Sequence, residues 1–277
     1  MRKILLGFPI VSILILTLFL FNSCQKDNET LQVQPQEQVL HNLGCELLSQ
    51  DVYASLPVAP EIKLKALPTL VNLNTPFVGN QGGEGSCVAW GTTYAGRSMA
   101  YYQGTTWSYS TNIFSPEYVY NQIKVSDCSS GAYVIDGLNL LKNKGACLWV
   151  TLPYSSTNGC DASLATPFDS YAANYKIAGY STVTLTIDAI KNQLALGKAV
   201  IVAGPVDRNF MYLASGAVLT KRKGSLGGHC YCVVGYDDSK SAFKFLNSWG
   251  PTWATAGYGY IHYNYLTQWW QEAYIIN

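Results

Sequence analysis

Gln81-Gly82-Gly83-Glu84-Gly85-Ser86-Cys87 is the stretch on which the reading of this chain turns. Four glycines between positions 79 and 85 make a loop by composition. A helical pattern begins as the loop ends: Val88, Thr92, Ala95, Met99 and Tyr102 recur at steps of four and three, one face of a helix. Cys87 therefore falls in a first helical turn, where unpaired backbone N–H groups and the positive end of the dipole favour an anion. A lone cysteine is more often an inert buried thiol. Its surroundings argue otherwise here, and two later segments supply what a nucleophilic thiol needs.

Those segments are Gly227-Gly228-His229 and Asn247-Ser248-Trp249-Gly250. His229 follows Cys87 by 142 residues, and Asn247 comes 18 later. An early cysteine with histidine and asparagine some 130–150 residues on is the order of papain-like sites. On Gln81, Cys87, His229 and the Asn-Ser-Trp-Gly run, the chain resembles the papain family of cysteine peptidases, over roughly residues 66 to 277. The resemblance implies that Cys87 is the nucleophile and His229 the general base and then acid. Asn247 would orient the imidazole through its side-chain carbonyl. Gln81 would donate, with the backbone N–H of Cys87, to the oxyanion, each donor being worth about 2.7–4 kcal/mol. By the same resemblance Trp249 shields the His–Asn bond, Trp253 lines the leaving-group side and Gly131 binds substrate backbone. Three departures mark a divergent branch. Glu84 stands where relatives have a cysteine, Val88 where an aromatic follows the nucleophile (Trp90 is nearby), and the family's Asp-Trp-Arg is absent around Leu67 to Leu73.

The fold expected is α+β. Helices are signalled from Cys87, at Ser115-Pro116-Glu117, from Tyr133 to Lys144 before Gly145, and from Thr186 to Gly197. A short helix around Glu37 to Gln50 is a further option. Short β-branched or aromatic runs follow at 199–203, 214–220, 230–235, 242–246 and 258–263. A helical half followed by a stranded half reads as two segregated lobes. The resemblance makes them a helical lobe carrying the cysteine and an antiparallel, barrel-like β lobe carrying His229 and Asn247, with the site in the cleft between.

The N-terminus is a leader. Arg2 and Lys3 precede the apolar run Ile4 to Phe21, which ends in Leu20-Phe21-Asn22-Ser23-Cys24. This looks like a bacterial lipoprotein cleavage box, implying a signal peptide at 1–23 and acylation of Cys24. Several acyl chains on one residue anchor stably where a single chain binds marginally. An uncleaved signal anchor is the alternative. The implied location is the bacterial outer membrane, with surface display as an option. Residues 24–65, polar and then Pro-punctuated, read as a lipidated tether or spacer, with a short pro-segment as the alternative; relatives often carry an inhibitory pro-segment here, longer and with motifs this stretch lacks.

Charged residues make up 13% of the chain and its formal net charge of +1 falls to −1 without Arg2 and Lys3, so no basic surface recruits nucleic acid. Eight cysteines in an exported chain suggest disulfides. With Cys24 and Cys87 set aside, the remaining six allow 15 pairings. Cys128 and Cys160 sit where the family has two disulfide partners. Cys230 and Cys232 point the same way along a strand and do not bridge each other. No CxxC pair or second histidine cluster offers zinc ligands, and no cofactor is implied. The function expected is peptide-bond hydrolysis on peptide or protein substrates through an acyl-enzyme. A papain-fold surface binding protein without turnover, or an acyltransferase or amidase on the same triad, are the alternatives; the oligomeric state stays open.

Overall fold

A long helix meets the central sheet through two glycines, and this contact organises the rest. The computed structural model describes residues 41–104, 106–127, 130–156 and 161–277. The leader, Cys24 and the Cys128–Cys160 pair lie outside the described residues. The helix runs over 87–101, wound as α at Cys87–Ala89, as π at Trp90–Arg97 and as α again at Ser98–Tyr101. Gly91, Thr92, Thr93 and Gly96 are weak helix formers. The Thr92 hydroxyl donates to the Val88 carbonyl at 2.7 Å and the Ser98 hydroxyl to that of Thr93 at 3.4 Å, bonds that accompany the wider winding. A Cβ on Gly91 would lie 2.6 Å from Cys230 Sγ, and one on Gly96 2.7 Å from Ile201 Cδ1. Real Cβ atoms do not approach so closely, so the backbone of this helix reaches the sheet because those side chains are missing.

The strands are β1 (Cys45–Glu46), β2 (Leu70–Asn72), β3 (Ala132–Tyr133), β4 (Tyr180–Thr182), β5 (Val200–Val206), β6 (Gly227–Asp237), β7 (Ala242–Leu246), β8 (Tyr258–His262) and β9 (Glu272–Ile276). Six of them form an antiparallel path, β4-β9-β5-β6-β7-β8, and β2 pairs with β6 off that path. The eleven-residue β6 is the spine. Its first half pairs with β5 and its last three residues with β2, while β7 runs along its other edge. Among the described residues the sheet stays open and does not close into a barrel, which refines the barrel-like expectation while the α+β class stands.

The period-two alternation of β6 sorts its side chains. Cys230, Cys232 and Val234 face the helix 87–101 together with Ile201, Ala203, Leu246 and Tyr274. Tyr231 and Val233 face the other way, into a core of Phe210, Phe245, Trp249, Trp253, Trp269 and Trp270. Removing one such aromatic would cost about 3–5 kcal/mol.

Several local expectations hold. The Ser115 and Thr186 side chains cap helices Pro116–Ile123 and Ile187–Ala195, and Gly145, at φ +91°, follows Val134–Asn143. The run 214–220 is not a strand: Gly216 turns at φ +78° and only Leu219 bridges, to Ile261. Residues 41–65 fall in the stretch assigned from sequence to a spacer, and they are bonded to the domain. Ser49 caps the short helix Gln50–Ala54, the Tyr53 hydroxyl donates to the Ala273 carbonyl at 3.1 Å, and the Leu64 amide donates to Asn192 Oδ1 at 2.9 Å.

Candidate active site

Cys87 opens its helix. The Ser86 side chain makes no capping bond and instead contacts the Tyr154 hydroxyl at 2.7 Å, so the first amides of the helix keep their positive end for the thiol. The loop before it is pinned at both ends. Gln81 and Ser248 exchange two bonds: the Gln81 amide donates to the Ser248 carbonyl at 2.8 Å, and the Ser248 hydroxyl donates to Gln81 Oε1 at 2.7 Å. The Gly250 amide donates to the Gly79 carbonyl at 2.9 Å. The glycine loop and the Asn-Ser-Trp-Gly run are thus one paired structure. The family cysteine that Glu84 replaces has a substitute anchor, since the Tyr154 hydroxyl reaches both Glu84 Oε2 (3.0 Å) and the Gln81 carbonyl (2.7 Å).

His229 is the third residue of β6, and its Nε2 lies 2.8 Å from Asn247 Oδ1. That oxygen also accepts the Ser248 amide at 2.8 Å, which fixes the orientation of the Asn247 side chain. The acceptor forces the imidazole proton onto Nε2 and leaves a lone pair on Nδ1. Nδ1 is buried and has no hydrogen-bond partner among the described residues. Trp249 stacks on the ring at 4.5 Å and Phe210 meets it edge-on at 5.7 Å. Trp253 lies behind Trp249, 5% exposed, with its indole N–H given to the Met211 carbonyl, so it buttresses the cleft wall from the core.

The cleft is filled, and no local motif in residues 41–48 signals it. Residues 41–48 of the same chain run along it. His41 stacks on Trp249 at 4.5 Å. The Asn42 carbonyl accepts from Gln81 Nε2 at 3.1 Å, while the second amide hydrogen of Gln81 goes to the Glu84 carbonyl at 2.9 Å. Gly44 fits between Gly85 and Gly131: its own Cβ would lie 1.9 Å from the Gly85 carbonyl oxygen, and a Cβ on Gly131 would lie 2.6 Å from the Gly44 carbonyl oxygen. That carbonyl accepts the Ala132 amide at 3.0 Å, and β1 continues parallel to β3. A Cβ on Gly228 would strike the Cys45 carbonyl oxygen at 2.1 Å. Leu48 then donates its amide to Glu272 Oε1 at 2.6 Å. Ser248 could have been noticed beside Asn247, but Leu48 and Glu272 are 224 residues apart and carry no local signal.

The covering strand sets the electrostatics. Cys87 and His229 are both fully buried. Burial pushes the Cys87 thiol up to about 12, against the opposing pull of the Cys230 and Gly44 backbone N–H groups. Burial likewise pushes His229 down to about 4, with the Asn247 bond acting the other way and His41 adding to the drop. The covered pair is therefore neutral, SH and imidazole, across the range between those values.

A family model described as papain family cysteine protease matches residues 72–273. The chain is similar to the gamete and mating-type specific protein A of Dictyostelium discoideum, 30% identical over 179 residues, covering 65% of this chain and 38% of that protein. It is 28% identical to the cathepsin B-like CP3 of Giardia intestinalis, over 66% of this chain and 63% of the relative. The chain thus spans less than two thirds of the length of either. Among solved structures, xylellain, a cysteine protease from Xylella fastidiosa, superposes with a TM-score of 0.69 at 26% identity, covering 88% of this chain and 98% of that one.

The neutral, covered pair has a direct consequence for reactivity. In the intact chain a neutral haloacetamide should modify Cys87 slowly between pH 5 and 8, because the thiol is protonated throughout. Mass analysis of the Cys87 peptide over time measures this. Modification as fast as that of a free thiol would contradict the covered site.

Proposed function

Since the chain belongs to the papain family of cysteine proteases, we propose that it hydrolyses peptide bonds through Cys87 and that the form with residues 41–48 in the cleft is latent. The observation carrying this reading is the His229 Nε2–Asn247 Oδ1 bond, which leaves Nδ1 buried and without a hydrogen-bond partner among the described residues. With the cleft open, Nδ1 takes the Cys87 proton and the thiolate attacks the substrate carbonyl. The Gln81 side-chain N–H and the Cys87 backbone N–H hold the oxyanion. The imidazolium then protonates the leaving amine, and water, deprotonated by His229, releases the acyl group from sulfur. Asn247 keeps the ring in the one tautomer that serves both steps.

The same chemistry explains why residues 41–48 cover the site without being cut. The leaving nitrogen must face His229, so the C-terminal side of a substrate lies towards Trp249. The covering strand places its earlier residue, His41, on that side and its later residues towards Gly131, and so runs the opposite way. Its Asn42 carbonyl takes the Gln81 donor, but with the chain reversed no amine stands where His229 could protonate it. Each hydrogen bond and the ring stack contribute about 1 kcal/mol net. Being tethered, the strand needs no further affinity to outcompete dilute peptide. We also read the leader and Cys24 as those of an exported, acylated protein held at the outer membrane, on the support of the Leu20-Phe21-Asn22-Ser23-Cys24 box.

Two variants test the latent peptidase. A chain beginning at Ser49 keeps the Ser49-capped helix and β2, and Gly44→Val in the full chain drives a side chain into the Gly85 carbonyl. Both should cleave a peptide library faster than the intact chain, by about 100-fold if the strand is seated 99% of the time. Cys87→Ala should abolish cleavage in either. A folded chain from Ser49 whose Cys87 is accessible to alkylation and which cuts nothing would overturn the peptidase reading. For the anchor, fractionation of cells making Cys24→Ala is the measurement. Release from the membrane is expected, and retention with the leader uncut would contradict acylation.

A further inference from the structure

The Tyr154 hydroxyl stands among three oxygens of the loop that leads to Cys87. It lies 2.7 Å from the Gln81 carbonyl, 2.7 Å from the Ser86 hydroxyl and 3.0 Å from Glu84 Oε2. A phenol has one proton to donate and lone pairs with which to accept. The Gln81 carbonyl can only accept, so its contact uses the Tyr154 proton. The Ser86 hydroxyl carries a proton of its own and can give it to the Tyr154 oxygen. Glu84 Oε2 is then at hydrogen-bond distance from an oxygen with nothing left to donate. That contact is a full hydrogen bond only if the carboxyl brings the proton.

The surroundings of Glu84 suit a neutral carboxyl. The residue is 3% exposed. The amide of Ser155, next in sequence to Tyr154, donates to Glu117 Oε2 at 3.1 Å, so a second buried carboxyl is tied to the same segment. Burial pushes the Glu117 carboxyl up to about 7, against the pull of the Ser155 amide, and a charge on Glu84 adds to the rise. Two buried carboxyls in one place disfavour ionising both. The other titratable groups that bear on Glu84 are Tyr120, on the helix Pro116–Ile123 with Glu117, and Lys124 at its end. The Lys124 ammonium donates to the Asn121 carbonyl at 2.8 Å.

We propose that Glu84 is a positioning residue for Gln81, acting through a proton that it donates to Tyr154; its effect on rate rests on the peptidase reading above. Glu84 holds Gln81 from two sides. Its backbone carbonyl accepts one Gln81 amide hydrogen at 2.9 Å, and its carboxyl, by donating to Tyr154, frees the phenol proton for the Gln81 carbonyl. The other Gln81 amide hydrogen is then directed into the cleft, where the Asn42 carbonyl takes it at 3.1 Å. When Glu84 ionises, it draws the Tyr154 proton to itself. The Gln81 carbonyl then faces the phenol lone pair against lone pair, and the loop has to move. In the open cleft kcat should therefore fall as pH rises through the Glu84 titration, because the oxyanion donor is displaced while substrate binding is not.

Carbon NMR of the full chain, with glutamate labelled at the carboxyl carbon, reads the proton without turnover. Near neutral pH the resonance lost in Glu84→Gln should lie at the protonated position, and Glu117→Gln assigns its neighbour. A Glu84 resonance titrating like an exposed glutamate, at about 4.3, would overturn the proposal. Kinetics use the full chain carrying Gly44→Val. There Glu84→Ala and Tyr154→Phe should each lower kcat, by up to about 100-fold, with KM little changed. Glu84→Gln, whose amide N–H can donate to Tyr154 at any pH, should recover most of that loss and carry the alkaline fall in kcat to higher pH. Undiminished kcat in Tyr154→Phe, or an alkaline fall that Glu84→Gln does not move, would contradict it. Circular dichroism checks folding, and Tyr154→Phe removes only one oxygen should Glu84→Ala fail to fold. A Gly44→Val chain with Cys87 open to alkylation that cuts nothing would sink the peptidase reading, while the resonance still decides where the proton lies.

Discussion

The missing side chain at Gly91 lets the helix that begins at Cys87 pack directly on β6, the strand that carries His229. Cys230 Sγ fills the space where a Gly91 Cβ would be, and the Cys232 thiol donates to the Gly91 carbonyl at 3.2 Å. One residue before Cys230 on the same strand is His229. In the proposed mechanism any shift of the helix along β6 would separate Cys87 from His229, and displacement by an ångström from productive geometry can cost about 100-fold in rate. The π-wound turns at Trp90–Arg97 fall on this contact, and such winding recurs at functional sites.

Around that contact Cys87 and His229 are fully buried, and uncovering them reverses the electrostatic balance. Covered by residues 41–48, Cys87 and His229 are each pushed towards neutrality by desolvation. In the open cleft the helix dipole and the mutual attraction of thiolate and imidazolium favour the ion pair. Passing from one to the other moves a proton from sulfur to Nδ1 and leaves the total number of bound protons unchanged. Opening at neutral pH is therefore not itself driven by pH. What changes is reactivity, and the covering strand governs it through solvent access.

Part of the candidate site was legible in the chain because its motifs have local structural causes. Cys87 is announced by a glycine loop and a helix start, His229 by two glycines and a buried strand, and Asn247 by the Asn-Ser-Trp-Gly run. The structure brings His229 and Asn247 together at 2.8 Å. The helix stops and caps at Ser115, Gly145 and Thr186 are equally local. The run 214–220 misled because its residues are apolar enough for a strand while Gly216 turns the backbone. The covering strand was illegible for another reason. Its partners Gln81, Ala132, Gly228 and Glu272 are far away in sequence, and where the sequence offers a short helix around Glu37 to Gln50, the described residues hold β1 and a helix that starts only at Gln50. A two-residue parallel pairing such as β1 with β3 leaves no periodicity to read.

Latency depends on residues 41–48 occupying the cleft in solution. Hydrogen exchange at the Ala132 amide, which is bonded to the Gly44 carbonyl at 3.0 Å, reports this directly. In the intact chain that amide should be protected, and protection should be lost in the chain beginning at Ser49 while β6 amides keep theirs. Rapid exchange at Ala132 in the intact, folded chain would show an empty cleft and contradict the account.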